Sequence, residues 1–294
     1  MTVEEIYMAI LSSVGLVCNA VSLSFFIKKR RELGNLLLSY LNIADMMVNL
    51  AVFLYLIAPA LQNVFTSIVL VTISEHVFRS SILVTGLITI YLNILRTSAI
   101  VWPLVRFKKQ PLHTSLVVLM MVFLVIEVFL GVFHTYPYLI YLQKNRVDII
   151  TLPPSTKDNP LAQFYDMELA IIGTPIIFLV TFGCIVSVAK LLVPNKTIRG
   201  IKDNGIRLHS AKTVLILSAQ YVVCNAVALT FISLYVHYNL HGGRTKTHLM
   251  KLYGCGALTL VLNSVLNPIV YVCRVKMLRQ HFIGVARCAC LKYS

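Results

Sequence analysis

Seven stretches of this chain are long and apolar enough to cross a lipid bilayer as helices, which constrains the fold more than any single motif. They run from Ile6 to Ile27, Leu36 to Leu61, Ser67 to Leu95, Ser115 to Leu142, Leu161 to Leu192, Ala211 to Tyr238 and Leu249 to Cys273, and are called spans 1 to 7 below. A hydrocarbon core about 30 Å thick takes roughly 20 apolar residues per helix, and its dryness requires every backbone N–H and C=O to be bonded within the segment. With 58% hydrophobic and 13% charged residues and a mean hydropathy of +0.81, the chain has too little polar surface for an ordinary soluble domain. The expected fold is an all-α membrane protein, a single seven-helix bundle over residues 1–294.

Basic residues set the expected orientation, because short cytoplasmic loops retain Lys and Arg. Lys28, Lys29, Arg30 and Arg31 follow span 1, and Arg106, Lys108 and Lys109 follow span 3. Lys190, Lys196, Arg199, Lys202, Arg207 and Lys212 surround the connection between spans 5 and 6, and Arg274, Lys276, Arg279, Arg287 and Lys292 fill the tail. These segments are expected in the cytoplasm, with the amino terminus outside and span 1 a reverse anchor rather than a cleaved signal. The formal charge of +15 therefore points to a membrane face and anionic inner-leaflet lipid, not to nucleic acid. Residues 145–160 hold Pro153, Pro154 and Pro160 and read as an extended outer lid. Beyond span 7, Val275, Leu278, Phe282 and Val285 recur at helical spacing with Arg274, Lys276, Arg279 and Gln280 between them. That pattern predicts a short amphipathic helix over 274–286.

The polar residues inside the spans carry the functional signal, since amides and charges in hydrocarbon are costly and need partners. Span 7 contains Asn263, Ser264, Asn267, Pro268 and Tyr271 in the run NSVLNPIVY. Span 2 carries Asn42, Asp45 and Asn49 on one helical face within LNIADMMVN, span 1 has Gly15 and Asn19 in GLVCN, and span 3 ends in ILRTSAIVWPLVRF with Arg96. Together these runs resemble the rhodopsin-like, or class A, G-protein-coupled receptors. By motif the resemblance covers spans 1 to 3, 5 to 7 and the tail helix, and it covers span 4 by hydropathy alone.

The resemblance implies a plasma-membrane receptor that answers an extracellular ligand and promotes nucleotide exchange on a heterotrimeric G protein. Arg96, Asn267, Pro268 and Tyr271 would serve coupling and activation. Asp45, Thr85, Asn263, Ser264 and Asn267 match the family positions around a sodium ion, a reasonable oxygen set for a hard cation; the plainer account is a hydrogen-bonded core with Asp45 protonated or water-linked. Asn19 would brace spans 1, 2 and 7, and Pro175 would unwind span 5 near the ligand. Cys288 and Cys290 are palmitoylation candidates. Among the implied ligand positions, Glu75, Phe78, Arg79 and Glu168 lie toward the outer side. Arg79 either pairs with Glu75 one turn away or meets an anionic ligand group with Glu75, Glu127 or Glu168 balancing it. Phe78 stands where amine receptors have their Asp, and Val261 where opsins have the retinal-linking Lys, so both of those ligand classes are disfavoured.

The chain departs from the family where the family moves. Leu95 and Thr97 flank Arg96 in place of an acid and an aromatic, and Arg207 stands near the usual acidic latch of span 6. Gly183 replaces a Tyr, while span 6 reads CNAV, with Asn225 for the aromatic switch and Val227 for the kinking Pro. A weak latch and raised basal activity are the expected consequence, with Tyr221 as a neighbouring aromatic lever. The 7 cysteines form no disulfide framework by spacing. The histidines show no metal spacing and no catalytic cluster, so no enzymatic activity is expected. Two other readings stand: a membrane channel or transporter using Asp45, Asn267 and Arg79 as a polar path, or a seven-span receptor homologue that no longer signals.

Overall fold

The computed structural model describes residues 3–29, 33–58, 61, 64–101, 160–192, 204–241 and 246–293, together with the single positions 118, 122, 125 and 129. Apart from those four positions span 4 lies outside the described residues, as do Glu127 and residues 145–159 of the expected lid, whereas Pro160 belongs to a helix. All the described regular structure is helical, and six of the helices are long and apolar enough to cross a membrane. The chain is a multi-pass helical membrane protein.

Spans 1, 2 and 3 lie in the helices Val3–Lys28, Leu33–Ile57 and Val64–Val101. Spans 5, 6 and 7 lie in Pro160–Leu192, Asn204–His241 and Lys246–Arg274. Proline sets several limits. The span 2 helix stops at Ile57 rather than at the expected Leu61, because Pro59 disfavours helical geometry in the residue before it. A turn follows, closed by the Leu61 N–H donating to the Ala58 carbonyl at 3.1 Å. The Val64–Val101 helix ends two residues short of Pro103, and Pro160 opens its helix at the first position, where a missing N–H costs nothing. A last helix, Lys276–Tyr293, runs further than the expected 286. It follows a one-residue break at Val275, where the Val275 N–H still reaches the Tyr271 carbonyl at 2.7 Å.

The described helices close into a ring: span 1 packs on 2, 2 on 3, 3 on 5, 5 on 6, 6 on 7 and 7 on 1, with spans 2 and 7 and spans 3 and 6 also meeting. Two apolar cores fill it. One gathers Val48, Val52, Phe78, Leu83, Ile176, Val180, Tyr221, Ala228, Leu260 and Val261. The other gathers Phe25, Phe26, Leu37, Leu41, Ala44, Ile88, Leu92, Leu217, Tyr271 and Leu278, toward the basic end of the bundle. Span 2 contributes Leu41 and Ala44 to one and Val48 and Val52 to the other, so the Asp45–Asn49 turn falls between them. The last helix seats Leu278 in the second core and bonds span 1 through His281 Nε2 and Ser24 Oγ, 2.9 Å apart. Lys29 joins the same seam, its Nζ 5.1 Å from the Phe25 ring centroid and 3.0 Å from Met277 Sδ.

Candidate functional site

The layer between the two cores is polar and buried. Asn19, Asn42, Asp45, Asn49, Ser264 and Asn267 are all buried. The Pro268 ring explains part of its construction: proline has no N–H, so the Ser264 carbonyl four residues earlier loses its helical donor. Span 1 supplies a replacement, with Asn19 Nδ2 donating to that carbonyl at 3.1 Å and to the Gly15 carbonyl of its own helix at 2.9 Å. One turn away on span 2, Asn49 Nδ2 donates to Ser264 Oγ at 2.9 Å and to the Asp45 backbone carbonyl at 2.7 Å. Asn267 Nδ2 donates to Asp45 Oδ2 at 2.7 Å. The three spans that carry the GLVCN, LNIAD and NSVLNPIVY runs are thus joined, spans 2 and 7 through side-chain pairs and span 1 to span 7 through Asn19 on the Ser264 backbone carbonyl.

Span 6 enters this layer through a residue that motif reading passes over. Gln220 Nε2 donates to the Asn263 carbonyl at 3.0 Å, to Asn267 Oδ1 at 3.1 Å and, more weakly, to Asn263 Oδ1 at 3.4 Å. The only sequence signal for it was generic: an amide inside an apolar span needs a polar partner. Carbonyls 263 and 264, in the turn preceding Pro268, are met from neighbouring spans 6 and 1 by Gln220 and Asn19.

Several buried oxygens of the layer have no hydrogen-bond partner among the described residues: Asp45 Oδ1, Asn49 Oδ1, Asn19 Oδ1, Asn42 Oδ1 and Thr85 Oγ1. Thr85 lies beside the Asp45 carboxyl on span 3 without making a hydrogen bond of good geometry to it. Unmet oxygens around a carboxylate suit a hard cation. The described residues contain no group of three or more His, Cys, Asp or Glu side chains that could hold a metal ion, so such a site would rest on a single carboxylate with hydroxyl and amide oxygens.

Tyr271 points into the second core with no exposed surface, its ring edge-on to Phe26 at 5.4 Å. Arg96 lies on the span 3 helix, but its side chain is outside the described residues, as are those of Glu168, Cys288 and Cys290. Next to Arg96, Thr97 Oγ1 and Ser187 Oγ of span 5 share a hydrogen bond of 2.8 Å. Gly183 leaves the room that Asn93 occupies: a Cβ there would sit 3.5 Å from Asn93 Cβ.

No protein-family model matches the sequence, and no curated protein aligns with it significantly. The geometry therefore carries the functional argument.

At the other end of the bundle, Arg79 Nη2 lies 2.8 Å from Glu75 Oε1, an ion pair along one helix face in which the Arg side chain is 6% and the Glu side chain 35% exposed. Tyr253 is within electrostatic reach of both, and its ring lies 5.5 Å from that of Tyr235. Phe78 belongs to the first core rather than to an open surface. Below this group, an apolar cavity lies between spans 3, 5, 6 and 7, lined among others by Leu83, Ile176, Tyr221, Asn225, Ala228 and Leu260. Asn225, in the place of the family's aromatic switch, turns its amide back on its own helix and donates to the Tyr221 carbonyl at 2.8 Å. Tyr221 fills the gap that Gly86 leaves on span 3, where a Cβ would come within 2.6 Å of the phenolic oxygen. Pro175 stands on the exposed side of span 5, away from the cavity.

Proposed function

We propose that the chain is a seven-span receptor of the rhodopsin-like kind, which couples an extracellular ligand to nucleotide exchange on a heterotrimeric G protein. The observation that carries this reading is the hydrogen-bonded chain from Asp45 through Asn267 to Gln220, closed by Asn19 and Asn49 on Ser264. A polar layer between two apolar cores, tied across spans 1, 2, 6 and 7 beside Pro268, is the kind of discrete hydrogen-bonded element whose rearrangement would move helices as units. That is what a switch needs. In this reading spans 1, 2, 3 and 5 to 7 cross the plasma membrane with a seventh in the Ser115–Leu142 region, the basic loops face the cytoplasm, and Lys276–Tyr293 lies along the inner leaflet. Arg96 and the cytoplasmic ends of spans 5 and 6 form the G-protein face, and the cavity beneath Glu75 and Arg79 is the floor of the ligand site.

A tie between neutral hydroxyls such as Thr97 and Ser187 contributes about 1 kcal/mol, less than a charged pair of similar geometry. Ligand-free activity above background is the expected result. Purified protein in lipid nanodiscs, mixed with each class of G protein, should accelerate guanine nucleotide exchange over empty nanodiscs. Failure with every class would sink the raised basal activity and favour the seven-span homologue that no longer signals, and membrane currents or solute flux without ligand would replace the receptor reading with a transport function.

The Asp45 layer is proposed to hold sodium on the unmet oxygens of Asp45 and Thr85, while the other expected ligands, Asn263, Ser264 and Asn267, have their side-chain oxygens in hydrogen bonds with Gln220 and Asn49 and would have to release them to join the set. A ligand that binds only the folded state at ten times its dissociation constant stabilises by about 1.4 kcal/mol. Replacing choline with sodium should therefore raise the unfolding midpoint by about 2 °C. Asp45→Asn should remove the response; an equal sodium effect in that variant would exclude the site.

A further inference from the structure

We propose that Gln220 is a positioning residue: it fixes the direction in which the Asn267 side-chain amide points, and through it ties span 6 to the Asp45 carboxyl. A primary amide has one accepting and one donating end. Gln220 Nε2 donates to Asn267 Oδ1 at 3.1 Å, so the donating end of Asn267 is left facing Asp45, where Nδ2 meets Oδ2 at 2.7 Å. The same Gln220 nitrogen holds the Asn263 carbonyl at 3.0 Å. Donation thus runs in one direction, from span 6 to span 7 to span 2. Reversal would place Asn267 Oδ1 against Asp45 Oδ2, two acceptors facing each other.

Two consequences follow. With Asn267 directed as a donor, Asp45 Oδ2 is satisfied and Oδ1 is the oxygen left to take a proton or a cation. Any change at Asp45 that weakens its hold on Asn267 Nδ2 also loosens the grip of Asn267 Oδ1 on Gln220. Span 6 lacks the family's proline and aromatic switch, and this amide chain gives it another mechanical link to the buried carboxyl. The signalling consequence rests on the receptor reading above; the direction of the chain does not.

Reversing the chain tests it. Gln220→Glu keeps the shape of the side chain but removes the N–H₂ donor, so with both carboxyl groups ionised, as alkaline buffer favours, one end of Asn267 faces an acceptor. Its unfolding midpoint should fall by several degrees. Adding Asp45→Asn supplies a donor at the other end: Asn267 turns over, accepts from the new amide and donates to the new carboxylate. The double variant should regain at least half of the loss, the remainder reflecting the Asn263 carbonyl that Glu cannot bond. Gln220→Met, with no polar group, should lose stability that Asp45→Asn does not restore, and Val223→Ala on the exposed face of the same span should behave as wild type. The proposal is overturned if Gln220→Glu and Gln220→Met unfold at the wild-type temperature, or if the Glu loss is unchanged by Asp45→Asn. These midpoints need neither sodium nor G protein. Rescue without nucleotide exchange would count against the receptor and leave the assignment of Gln220 intact. In a signalling protein, Gln220→Met should raise ligand-free exchange severalfold.

Discussion

Asn267→Leu is expected to lower the unfolding midpoint of the purified protein by about 3–6 °C, the largest effect of any single substitution in the polar layer. An interhelical hydrogen bond in a membrane protein stabilises by only about 0.6 kcal/mol on average and about 1.7 at most, so the two lost bonds do not account for this alone. The greater term is what they leave behind. Asp45 Oδ2 loses its donor at 2.7 Å, and Gln220 Nε2 loses one of its acceptors. A buried polar group left unmet costs about 1–3 kcal/mol, which brings the total to about 2–4 kcal/mol. Differential scanning fluorimetry in detergent or nanodiscs measures it. A shift under 2 °C would mean that water enters the layer freely and that the chain of amides is not a structural element.

The second large effect belongs to a residue with no side chain. Gly15→Ala is expected to destabilise by about 2–3 kcal/mol, because a Cβ at that position would press on the Asn49 side chain, coming 2.7 Å from its Cγ and Nδ2. Crowding of this kind costs about 1–3 kcal/mol where the neighbour cannot move. Asn49 cannot move freely: its amide is committed to the Asp45 carbonyl and to Ser264 Oγ. Val14→Ala, on the exposed face one residue away, should shift the midpoint by less than 1 °C. Should both variants melt together, the close approach of spans 1 and 2 would not be required. The sodium response proposed above should shrink in Gly15→Ala, since displacing Asn49 disturbs the span 2 turn that bears Asp45.

The elements were legible in the sequence because a bilayer imposes a length and a polarity that few other environments impose. Spans 1, 2, 3, 5, 6 and 7 all coincide with helices, and the misplaced end of span 2 reflects a local effect of Pro59 that hydropathy does not register. Much of the polar layer was legible too. Asn42, Asp45 and Asn49 were read as one face of span 2, and all three are buried. Asn19, Ser264 and Asn267 were grouped by motif, and they meet in space.

What escaped was of a different kind. Gln220 belongs to no motif, and nothing local to span 6 tells which of its neighbours it bonds. Its partners are 43 and 47 residues away. Asn225 and Gly183 were recognised as departures, but their effects are set by the space around them. The Asn225 amide turns back on its own helix, and Asn93 lies in the room beside Gly183.

By itself the sequence determined a helical membrane protein whose polar residues are gathered on the inward faces of its spans. Spacing along one helix is enough to decide which residues share a face, and the cost of dehydrated amides is enough to turn that face inward. Only the tertiary structure decided who bonds whom: that the Ser264 carbonyl freed by Pro268 is met by Asn19, and that the Asn267 amide is directed by Gln220 toward Asp45. A hydrogen bond depends on distance and direction to a few tenths of an ångström. Those quantities are set by how helices far apart in the chain pack, and no periodicity within a single helix contains them.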